Sequence, residues 1–163
     1  MTASQNHGVI GADFDRPTTQ AEFAPGSLTW GDEDAAWLYC RADAGGVSGA
    51  GYVVLIDEDF AADMLDTTNS AAGFGQRVGV AAAAVAASQY FWAQVRGVAA
   101  IRVAASAAAN AALNATATAG QADDDATAGA EIIDGLVLTT ANGGAAGTAV
   151  GVLDDPRVGA TIA

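Results

Sequence analysis

The chain predicts an all-β fold: a small antiparallel β-barrel or sandwich with an extended N-terminal arm and at most one or two short helices. Three observations within its 163 residues lead there. Apolar runs are short, rich in valine, isoleucine and aromatics, and separated by Gly, Asn and Asp turn signals. An alanine-rich, nearly uncharged stretch, Ser88 to Asn110, alternates with a period of two from Tyr90 onward. Finally, Leu65 to Val80 and Leu138 to Val152 both run from Leu-x-Thr through Asn and small residues to Val-Gly-Val, as two loop-then-strand units on a common plan would.

Taken in order, residues 1–26 contain few large apolar groups (Val9, Ile10, Phe14, Phe23) and two prolines, so they read as an extended arm. Residues 27–163 then form a single β domain. Pro25-Gly26 signals a turn, "SLTWG" alternates as a short strand, and an acidic tip at Gly31 to Asp34 leads into Trp37 to Cys40, which together predict a hairpin. "GYVVLIDED" is a β-branched run bounded by glycines and acids. "EDFAADMLDTT" suits a turn or two of helix. The C-terminal "EIIDGLVLTTANGGAAGTAVGVLDDPRVG" divides into apolar runs at Asp134-Gly135 and at Asn142-Gly143-Gly144, both read as turns.

The Ser88 to Asn110 stretch decides the class. A helix would align Phe91, Val95, Val98 and Arg102, a poor stripe that ends in a charge. A strand places Phe91, Ala93 and Val95 on one face and Tyr90, Trp92, Gln94 and Arg96 on the other. Gly97 then marks a bend or bulge, after which Ala99, Ile101 and Val103 continue one face. Tyr90 to Val103 is therefore strand, and Ala104 to Leu113 a loop or one short helix.

Charge excludes several function classes. Six arginines, no lysine and nineteen carboxylates give a net charge of -13, which argues against nucleic acid and against an anionic membrane surface as partners. Between Thr67 and Ala122 there is no acid, only Arg77, Arg96 and Arg102, so this third is expected to be packed or in contact with other subunits while acidic loops face solvent. No basic-then-apolar leader and no long apolar span is visible, and the one cysteine, Cys40, cannot form an internal disulfide. Cys40 reads as a small apolar core residue and assembly as cytoplasmic.

No catalytic constellation emerges, so the expectation is a protein that is not an enzyme and carries no cofactor and no metal. His7 sits in the arm without a positioned partner. "GFGQRVG" (Gly73 to Gly79) has the wrong glycine spacing for a dinucleotide loop and no βαβ frame around it. The clusters Asp32-Glu33-Asp34, Asp57-Glu58-Asp59, Asp123-Asp124-Asp125 and Asp154-Asp155 lack the spacing of a calcium loop. A carbohydrate- or calcium-binding β-sandwich, for example a module of a fibre or surface protein, is the alternative to a purely structural role. The Asn114-Ala115-Thr116 sequon has no secretion signal to give it meaning.

The block Gly75 to Gly159 resembles the capsid cement, or head decoration, proteins of tailed bacteriophages. The elements are Val78-Gly79-Val80 before an alanine run, "WAQVRGV" (Trp92 to Val98), Thr118-Ala119-Gly120 before an acidic turn, and "VGVL" (Val150 to Leu153). The resemblance implies a compact β module on the outer surface of an icosahedral head, assembled in the host cytoplasm. It further implies a homotrimer bound to the major capsid protein that reinforces the expanded shell. On that basis Phe14, Arg16 and Phe23 of the arm are expected at the capsid contact, and Phe91, Trp92, Val95 and Arg96 at the trimer contact.

Overall fold

In the computed structural model, which describes residues 11–163, strands dominate and helix is confined to a single turn. The order is β1 (Leu28–Trp30), β2 (Ala36–Ala42), β3 (Val53–Ile56), β4 (Ala61–Met64), α1 (Thr67–Ser70), β5 (Arg77–Ala81), β6 (Tyr90–Val103), β7 (Leu113–Ala115), β8 (Ala122–Asp123), β9 (Glu131–Leu138) and β10 (Gly147–Thr161). All the strands belong to one sheet, and its pairings close on themselves twice. One ring runs β2-β4-β3-β5-β6 and back to β2; the other runs β6-β10-β9-β7-β8 and back to β6. The all-β class follows from the sequence, with one change: β2–β4 and β6–β8 pair in parallel, so the sheet is mixed.

Strand β6 is shared by both rings. Its first half pairs with β2 through Tyr90 to Arg96, and its second half pairs with β10 from Arg96 to Val103. The period-two reading of this strand is borne out along its length. Phe91, Ala93 and Val95 enter the core of the first ring, whereas Ile101 and Val103, with Ala99 against them, enter the core of the second. The crossing point is Gly97, at φ +90°, where a Cβ would lie 2.9 Å from the Ala35 Cα. The expected bend is there because only glycine fits both the dihedral and the approach.

Two cores need a wall between them, and β3 and β5 supply it. Val54 and Ile56 point into the first core, while Val53 and Leu55 point into the second with Val78 and Val80 of β5. A strand buried on both faces reads as an unbroken apolar run, which is why "VVLI" does not alternate. The two Val-Gly-Val segments also gain a common role: β5 and β10 lie in tandem along the same edge of β6. Their glycines permit the approach, since a Cβ at Gly79 would sit 3.0 Å from the Ala93 Cβ and one at Gly151 would sit 2.5 Å from the Ile101 Cδ1.

Residues 11–26 run through turns and bends with a single bridge at Thr18, and they are fastened to the body. Tyr90 and Thr18 exchange backbone hydrogen bonds of 2.8 and 2.9 Å, and the Phe14 ring stacks on Trp37 with centroids 4.5 Å apart. Phe14, Ala12, Trp37, Tyr39 and Trp92 form a third buried cluster on the outer face of β2 and β6, with Phe23 and Tyr90 partly buried against it. His7, Val9 and Ile10 lie outside the described residues.

Two local expectations are corrected. The helix expected within Glu58 to Thr68 is a strand, Ala61–Met64, followed by a short helix at Thr67–Ser70. Pairing of Ala61 and Ala62 with β2 overrides alanine's helical preference, and Asp66 starts the helix by accepting hydrogen bonds from the Thr68 and Asn69 amides. Asp134-Gly135 is not a turn, because β9 continues through it with a kink: Gly135, at φ +81°, opposes the Asp154 to Pro156 bulge of β10. Of the two readings left open for Ala104 to Leu113, the loop is the one found, ending where β7 begins. The β9–β10 turn does fall at Asn142, whose Nδ2 donates to the Ala104 carbonyl at 2.6 Å.

Cys40 is fully buried in the first ring, and that burial pushes its thiol well above its usual range. The native protein is expected to resist iodoacetamide while the urea-unfolded chain reacts fully. Alkylation of the folded protein at the rate of a free thiol would contradict this placement.

Candidate interaction face

The outer surface of β6, β10 and β9 is apolar and uncovered. Alternation along β10 turns Ala149 and Leu153 inward and Val150 and Val152 outward. Val152 stands opposite Val98 of β6 on one side and Val137 of β9 on the other, and Val150 stands opposite Ala100. The result is a cross-strand valine ladder three strands wide, with Val98 57% exposed. Valines normally turn this kind of surface toward a neighbour, and here no element among the described residues covers it.

Charged groups frame the ladder on both sides. Above it, Arg96 lies between Asp34, 3.1 Å from its Nε, and Asp154, 3.3 Å from its Nη1, and over the half-exposed Trp30 ring at 5.9 Å. The hydrogen bond it donates to Asp34 is the main reason this guanidinium holds its proton more firmly than usual. Below it, the Arg102 guanidinium sits 5.0 Å from the Tyr52 ring centroid, and its buried Nε has no hydrogen-bond partner among the described residues.

The sequence-predicted residues are placed as follows. Phe91, Trp92 and Val95 are buried within the chain itself, the first and last in the first ring and Trp92 beneath the arm. Of that group only Arg96 reaches the candidate face. Phe14 is buried on Trp37, and Phe23 is half-buried against Tyr39 and Trp92. Arg16 is exposed and pairs with Glu22 at 3.1 Å and Asp13 at 3.5 Å. The ladder itself is a feature that sequence reasoning misses. Its signal is present, since Val98 is out of phase with Ala99, Ile101 and Val103, but the pairing that aligns it with Val137 and Val152 is not a local property.

Among the described residues no three carboxylates, thiols or imidazoles converge as metal ligands would. The acidic segments are instead engaged locally. Asn114, buried, donates from Nδ2 to Asp125 and accepts the Ala126 amide, which pins the Asp123 to Thr127 loop and occupies the amide of the sequon. The Thr127 hydroxyl holds the Asp125 carboxyl below its ordinary range, while burial pushes Asp123 up.

No protein-family model matches the chain, and no curated protein matches it either.

Proposed function

We propose that the protein is a capsid cement, or head decoration, protein of a tailed bacteriophage, a binding module that assembles as a homotrimer on the outside of the expanded head. The valine ladder carries this reading. It is an uncovered apolar sheet face on a chain whose net charge of -13 otherwise favours dispersal, so the face has a use only when something covers it. Three copies that turn this face toward a common axis bury their ladders together and leave the carboxylate loops in solvent. The resemblance of Gly75 to Gly159 to cement proteins supports the same role, with the major capsid protein as partner and the exposed side of the arm around Arg16 and Phe23 as its contact. Attachment through three weak contacts gains strength by avidity.

Light scattering on the full chain should give the mass of three protomers, and Val98→Asp with Val152→Asp should give one protomer with an unchanged β-sheet circular dichroism spectrum. The trimer should co-sediment with expanded heads and not with unexpanded ones. A wild-type monomer, or a trimer indifferent to both substitutions, refutes the assignment of the ladder; failure to bind expanded heads refutes the cement role.

A further inference from the structure

We propose that Arg77 and Arg157 hold an oxyanion, at a site distinct from the valine ladder and independent of the role proposed above. These residues are directly opposed across β5 and β10, the one register pair that joins those strands. Like charges placed this way repel. Asp134 of β9 stands opposite Arg157 on its other side, yet neither arginine makes an ion pair among the described residues. Carboxylates hold Arg16 and Arg96, the Tyr90 ring and the Ser88 carbonyl hold Arg41, and the Tyr52 ring holds Arg102, whereas Arg157 has a backbone carbonyl, that of Gly75, and no anion.

The surroundings fit a ligand with an anionic head and an apolar body. Both arginines line an open depression of about 430 Å³ at the end of the first ring, floored by Ile56 and flanked by Phe60 and Phe74. Mouths of small barrels are frequent ligand sites. Phe74 is 79% exposed, the most exposed large apolar side chain among the described residues. It lines the same depression as the two cations, where it can cover an apolar body whose head lies between them. The pair is also preorganised: Arg157 Nη1 donates to the Gly75 carbonyl at 3.0 Å, and backbone bonds Gly75 N to Val158 O (2.7 Å) and Val158 N to Gln76 O (3.0 Å) fix the two strands. Two acids share the rim. Asp57 is engaged, since its Oδ1 accepts the Asp59 and Ala61 amides, and Glu58 is exposed at the hairpin tip. Two guanidinium forks with no carboxylate between them match a carboxylate or phosphate oxyanion, whether free or carried on an acidic protein segment.

The test titrates the full chain with sodium phosphate and, separately, with the blocked tripeptide Ala-Glu-Phe, against sodium chloride at equal ionic strength. It follows arginine Nε and aromatic NMR signals and the melting temperature. Saturable shifts at Arg77, Arg157 and Phe74, with Arg102 still, and a rise in melting temperature absent from chloride, are expected. Saturation by phosphate identifies a free anion; saturation by the peptide alone identifies a protein carboxylate. Arg157→Gln, at an exposed position, should abolish the response and leave the β-sheet circular dichroism spectrum in chloride unchanged. An equal response to chloride, no saturation by either probe, or a response that survives Arg157→Gln overturns the proposal.

Discussion

Trp92→Ala should free residues 11–26 from the body and cost about 3–5 kcal/mol of stability, the range for truncating a large buried aromatic. The indole is 2% exposed and is the hub of the third cluster: the Tyr39, Phe23 and Phe14 rings lie 4.8, 5.3 and 5.9 Å from it. Its removal leaves a cavity and takes away the shared support of both arm aromatics. What remains of the attachment is chiefly the Thr18–Tyr90 bridge, the Phe14–Trp37 stack and the Tyr39 hydroxyl, which accepts the Glu22 amide at 3.1 Å. Urea unfolding should show the lowered midpoint, and chymotrypsin should cut at Phe14 and Phe23 in the variant under conditions that spare the wild type. Equal protection of the two proteins would show that the cluster does not hold the arm.

Gly97→Ala is expected to cost about as much, by a different mechanism. Holding a non-glycine residue in the left-handed region costs about 1–3 kcal/mol. Here the added Cβ would also meet backbone, 2.9 Å from the Ala35 Cα and 3.1 Å from its nitrogen, so one of two paired strands must move. The damage falls where β6 passes from one ring to the other, and both closures depend on it. Gly75→Ala is the control, because Gly75 shares the positive φ (+79°) but has open space, with nothing within 4 Å, where its Cβ would lie. It should cost only the strain. A Gly97→Ala protein as stable as the Gly75→Ala protein would mean that the Ala35 approach is not rigid.

Most of the strand inventory is legible because burial in a sheet leaves a period-two trace. β6 is the clearest case, with Phe91, Ala93 and Val95 against Tyr90, Trp92 and Gln94, and β3 is legible as an unbroken apolar run. Failures arise where long-range pairing outweighs local preference. Ala61 to Met64 carries no β signal of its own and becomes a strand because β2 and β3 are waiting on either side. Asp134-Gly135 has the chemistry of a turn, but the opposing Asp155-Pro156 bulge converts it to a kink within a strand. For the candidate face the difficulty is greater. Aromatics invite attention as contacts, yet Phe91, Trp92 and Phe14 are consumed in the protomer's own cores. The plainer valines at 98, 137, 150 and 152 remain outside, and only the strand register brings them onto one face.

The shared strand also sets an order of events during synthesis. Every strand of the first ring precedes β7, so that ring can close on the ribosome once Arg96 has emerged. The second ring must wait for β10, the last of its own strands in chain order, which pairs with β6, β9 and β5. In that interval the second half of β6 is a template with a free edge, and Val53, Leu55, Val78 and Val80 are a finished wall with one side wet. Nascent chains stalled between β6 and β10 are thus the ones most in need of a chaperone.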